Sequence, residues 1–114
     1  MRDLQEHERP LAERYRLAAK AANEASKVSR YYRENKGIVF AQMVMEVLRQ
    51  DPSLPVNKAE LLVKASDAWK AFIDRLLEAS DQAGEKKTDL KTIEIEAESI
   101  KQANISAARE RRYG

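Results

Sequence analysis

A seven-residue apolar repeat runs through the second half of this chain and constrains its fold more than any other feature. Leu62, Trp69, Leu76, Ala83, Leu90, Ala97 and Asn104 share one position of the repeat; Ala65, Phe72, Ala79, Lys86, Ile93, Ile100 and Ala107 stand three residues further on. Steps of three and four that close on seven are the a/d seam of a helix lying against another helix. Gly84 falls inside the repeat without shifting its phase. The pattern therefore predicts one helix over 58–112, about 55 residues and roughly 80 Å at 1.5 Å per residue.

The first half carries a matching signal. Pro10 cannot donate a backbone N–H and disfavours helical geometry at Arg9, so a helix over 10–50 starts with Pro10 at its first position, and 1–9 form an arm. Leu11, Tyr15, Ala18, Ala22, Ala25, Tyr32, Val39, Met43 and Val47 give this helix its apolar stripe. The triplet Asn35-Lys36-Gly37 resembles a helix end, yet the stripe keeps its phase on both sides of it. Pro52 and Pro55 mark the connection over 51–57. Asn57 reads as the next N-cap, with Glu60 completing a capping box and Val56 and Leu61 a hydrophobic staple.

Two long helices joined by a short turn fold back on each other. The expected fold is all-α, a single domain over 1–114 built as a coiled-coil-like antiparallel two-helix hairpin whose C-terminal end projects beyond its partner. Near the turn Phe40, Met43, Val47 and Leu48 would face Leu61, Leu62, Trp69, Phe72, Ile73, Leu76 and Leu77. Further along, alanine replaces the bulky residues and the buried area per layer falls. That weak middle, with Lys86 and Asn104 at seam positions, predicts a homo-oligomer whose copies meet through Ala18, Ala22, Ala25, Ala83, Leu90, Ile93, Ala97 and Ile100. Composition agrees: 35% of residues are charged and only 6% aromatic, as in solvated helices that bury a stripe.

The residues for catalysis are missing. The chain has no cysteine, and His7 is its only histidine. Glu94, Glu96 and Glu98 alternate, so on a helix they diverge and cannot share an ion or a proton. No glycine-rich phosphate loop is present. We therefore expect no enzyme, cofactor, metal or small-molecule substrate. With no apolar run of spanning length and no signal-peptide pattern, the expected setting is the cytoplasm, away from membranes.

Charge placement is the most informative remaining feature. Arg14, Arg16, Lys20, Lys27, Arg30, Arg33 and Lys36 stand against Glu24 and Glu34, a local balance of +5. Arg16, Lys20, Lys27 and Arg30 fall on one stripe with Tyr31 beside it, which suits a phosphate backbone and a stacked base. The facing part of the second helix is acidic, carrying Asp74, Glu78, Asp81, Glu85, Asp89, Glu94, Glu96 and Glu98, so pairing between helices is the competing reading. Arg109, Arg111 and Arg112 form a basic tip that suits the helix dipole or a shared anionic ligand.

The order Ala65-Ser66-Asp67-Ala68-Trp69, Phe72-Ile73, Leu76-Leu77-Glu78-Ala79 and Ala108-Arg109-Glu110-Arg111-Arg112 resembles small helical proteins of tailed bacteriophages, as does Lys27, Arg30-Tyr31-Tyr32 and Lys36 before an apolar stretch. The ending from Ile100 to Gly114 is similar to the last helix of phage recombination-mediator proteins, which are oligomeric and bind single-stranded DNA. The resemblance implies a non-enzymatic phage accessory of recombination or replication in a bacterial host, acting on single-stranded DNA or on a recombination or replication protein bound to it. Arg16, Lys20, Lys27, Arg30, Arg33, Arg109, Arg111 and Arg112 would then contact phosphates, and Tyr31 a base. The alternative is a protein-interaction module, a phage inhibitor or assembly adaptor with an exposed helical face.

Overall fold

The computed structural model describes residues 10–113; the arm over 1–9, with His7, and Gly114 lie outside the described residues. The described chain is all-helical: α1 spans Leu11–Gln50, α2 Val56–Ala65 and α3 Asp67–Tyr113. Pro10 precedes α1, and its carbonyl accepts the Arg14 N–H at 3.1 Å, the first bond of the ladder. Both α1 and α3 continue through their glycines, Gly37 and Gly84, with no positive φ at either.

The expected single helix over 58–112 is instead two helices divided at Ser66. Ser66 adopts extended backbone (φ −73°, ψ 148°) and serves both ends. Its hydroxyl donates to the Val63 carbonyl at 2.6 Å and accepts the Trp69 N–H at 3.2 Å. Its own N–H returns to Val63, and its carbonyl takes the Lys70 N–H. Serine can satisfy these orphaned groups because its oxygen is both donor and acceptor one bond from Cβ.

That one non-helical residue changes which side of α2 faces inward. The heptad counted from α3 would bury Leu62 and Ala65; the structure buries Ala59 (0% exposed) and Val63 (2%). Leu61 and Leu62 stay exposed, as does Leu77. From Trp69 to Ala97 the expected seam holds: no position of it is exposed, and Ala79 and Ala83 are buried.

The start of α2 also differs from expectation. Pro55, not Asn57, is the N-cap, and its carbonyl accepts the N–H groups of Lys58 and Ala59 at 3.1 Å each. Asn57 bonds only to the Lys58 N–H, and Val56 and Leu61 are too exposed to form a staple. The connection itself is held by Asp51, whose carbonyl takes the Leu54 N–H while its carboxylate takes the Ser53 hydroxyl.

The chain divides into two contact-dense units. One, Ala25–Ala83, contains the end of α1, all of α2 and the start of α3. Its core is Val44, Ala59 and Val63, with Phe40, Met43, Val47, Leu48, Leu54 and Trp69 packed around it. Five rings continue from that core: Phe40 meets Trp69 edge-on at 5.0 Å, Trp69 stacks on Phe72 at 5.5 Å, Phe72 meets Tyr32, and Tyr32 meets Tyr31. Tyr32 lies against Phe72 and Phe40 against Trp69, so α1 and α3 run antiparallel within this unit. The Lys64 ammonium lies 5.9 Å from the Phe40 ring.

The other unit joins the first turns of α1 to α3 from Gly84 onward. Its pairing is marked by Arg14, whose guanidinium makes two hydrogen bonds to the Glu96 carboxylate at 2.9 and 2.7 Å. From Glu98 to Arg112 every residue of α3 is exposed.

Candidate nucleic-acid interface

The basic residues of α1 belong to a helix whose opposite face is spent on packing. Ala22 and Ser29, at 6% and 3% exposure, and half-buried Ala25 and Tyr32 occupy the inward positions. Arg16, Lys20, Lys27 and Arg30 lie off those positions, Lys36 stands one heptad beyond Ser29, and all four, with Arg33 and Lys36, are exposed. Ser29 is the one buried polar residue among those described, and it stands at a seam step that an apolar count passes over.

Among the described residues, three ion pairs form: Arg14 with Glu96, Arg49 with Glu46, and Lys86 with Asp89. The last two lie within a single helix, and exposed pairs of that type add little to stability. Arg14 is therefore the cation of the α1 run that reaches a carboxylate of α3, and its side chain is only 16% exposed. Its two hydrogen bonds hold the Glu96 carboxyl below the usual glutamate range. None of the six exposed cations has an ion-pair partner among the described residues.

In the unit Ala25–Ala83, Lys27, Arg30 and Arg33 share the surface of α1 with Tyr31, which is 63% exposed. The Tyr31 ring is the outer end of the five-ring series, with its centroid 5.7 Å from that of Tyr32 at 80°. A ring fixed edge-on against a packed neighbour offers its face to solvent at reduced entropy cost. In the other unit Arg16 and Lys20 are exposed on α1, and Arg109, Arg111 and Arg112 on the last turns of α3, where Arg111 Nε donates to the Ala107 carbonyl.

The residues expected at contacts between copies divide into two groups. Ala22 and Ala83 are already buried within the chain, so they are not surface that a second copy could cover. Ala18, Ala25, Leu90, Ile93 and Ala97 are half-buried, and Ile100 is 45% exposed. The large apolar residues most open to solvent are Met45, Tyr31, Leu61, Ile95, Ile38 and Val56, none at an alanine-rich position.

An open groove of about 320 Å³ lies beside the aromatic series, lined by Ala25, Val28 and Tyr32 of α1 and Arg75, Glu78, Ala79 and Gln82 of α3. No group of three or more potential metal ligands occurs among the described residues, and no helix there is long and apolar enough to cross a membrane. Comparison with protein-family models, curated proteins and solved structures gives no match. The described chain is thus all-helical, with exposed cations on α1 in each of its two units.

Proposed function

We propose that this chain is a non-enzymatic accessory protein that binds single-stranded nucleic acid through the cations of α1. The setting is the one its phage resemblance implies, recombination or replication in the bacterial cytoplasm. The observation that supports the reading is the condition of those cations: all six from Arg16 to Lys36 are exposed and lack ion pairs among the described residues. Pairing across the seam would have engaged them as Glu96 engages Arg14. Unneutralised cations release condensed counterions when they meet a polyphosphate, and that release drives binding. Tyr31 supplies a face for one base, and Arg109, Arg111 and Arg112 add a second cationic group.

Titration of a fluorescent single strand at several salt concentrations tests the proposal. Contacts from Arg16, Lys20, Lys27, Arg30 and Arg33 give a log K against log[salt] slope of about −3.5, at about −0.7 per phosphate. Replacing Lys27, Arg30 and Arg33 together by alanine should flatten the slope by about 2 while leaving the helical spectrum unchanged. No binding at low salt overturns the reading.

A protein-interaction module is the second reading, favoured by a separate observation. Tyr31, Ile38 and Met45 repeat every seven residues on α1 and are 63%, 56% and 68% exposed. Such a row fits a groove-seeking helix face. It predicts a host or phage protein as partner, with single strands left unbound at any salt.

A further inference from the structure

We infer that the groove between α1 and α3 in the unit Ala25–Ala83 is a pocket for one unpaired base of a single strand, an inference that rests on the nucleic-acid reading above. Small side chains create it: Ala25 and Ala79 stop short of the space that larger seam residues would fill. Its apolar walls are Val28, still 49% exposed, and Tyr32. At about 320 Å³ and open to solvent, it has room for a planar heterocycle attached to a backbone outside.

The rim makes the choice of occupant. Arg75, Glu78 and Gln82 stand at steps of three and four on α3, all exposed. No hydrogen bond or ion pair occupies any of the three among the described residues. Together they offer guanidinium donors, a carboxylate acceptor and an amide that does both, which is the complement of a base edge. An aliphatic side chain from a protein partner would fill the apolar floor and leave this rim unused. Tyr31 extends the ring surface outward from Tyr32.

The test compares a fluorescein-labelled single strand with an abasic strand of equal phosphate count, at fixed salt. The native protein should prefer the base-bearing strand by about tenfold, as one stacked and enclosed base contributes. Ala25→Leu, which fills the groove, should remove the groove's share of that preference, leaving only what a base stacked on Tyr31 contributes, with an unaltered salt slope. Gln82→Ala, at an exposed position that leaves the helices intact, should keep the preference over the abasic strand but narrow the differences among oligo-dA, oligo-dC and oligo-dT. Equal binding of both strands by native protein overturns the pocket and leaves the phosphate reading standing; binding of neither overturns both. Ala25→Leu abolishing capture of a leucine-rich helical peptide, with strand preference intact, would assign the groove to a protein partner and overturn the inference.

Discussion

One hydroxyl joins α2 to α3. The Ser66 Oγ is bonded on both sides of the break, to Val63 and to the Trp69 N–H, and the residue lies partly buried between them. Ser66→Ala should therefore cost about 1 kcal/mol, the usual effect of removing an N-cap, seen as a lower urea midpoint; Ser66→Thr should recover most of it. Gly37 and Gly84 behave oppositely. A Cβ built at either meets nothing within 4 Å, and both backbones are helical. Each change to alanine should raise stability by up to about 1 kcal/mol, measurable as a higher melting temperature, because alanine narrows the unfolded ensemble without a clash. Glu96 adds a pH-dependent contribution to stability. Its carboxyl is held low by hydrogen bonds from Arg14, so its ionised form stabilises the fold above the ordinary glutamate range. That contribution disappears as pH falls through the lowered value. The thermal midpoint should drop on acidification, and Glu96→Gln should flatten part of that dependence.

At the scale of elements, the consequence of the Ser66 break is the face that α2 presents. Neighbouring positions make a sharp test: Val63 is 2% exposed and Leu62 54%. Val63→Ser should cost about 2 kcal/mol or more, through lost burial and a hydroxyl placed in an apolar core. Leu62→Ser should fall within about 0.5 kcal/mol of native. Equal costs at both sites would restore the unbroken heptad. The register of α3 from Trp69 to Ala97 was legible in the sequence, since seven-residue spacing on an intact helix fixes one face whatever lies opposite. The register of α2 was not. A single extended residue carries almost no composition signal, yet it advances the chain without the rotation of a helical step. The last turns of α3 bury none of their own residues: Glu98 to Arg112 is exposed throughout, Ile100 and Ile105 included. A helical segment of that length gains little stability alone. Amide exchange should therefore be slow near Val44 and Val63 and should quicken past Ala97.

For the molecule as a whole, a net charge of +2 spread over 21 cations and 19 anions conceals strong local asymmetry. The α1 cations remain available because one guanidinium, that of Arg14, takes the contact with Glu96 while its neighbours face outward. Light scattering after gel filtration tests the expected association: a multiple of 13.0 kDa would support it, and a monomer at that mass rejects it. The sequence alone determined that the chain would be helical, where α1 would end, that Gly37 and Gly84 would be passed over, and which face of α3 would pack up to Ala97. Each of those follows from local geometry, because proline removes a donor and a 3.6-residue turn converts spacing into direction. Only the tertiary structure decided the break at Ser66, the burial of Ala59 and Val63 in place of Leu62, and which basic residue would be neutralised. Those choices depend on what stands across the interface, where side-chain volume and hydrogen-bond partners distant in sequence select one of several locally equivalent arrangements.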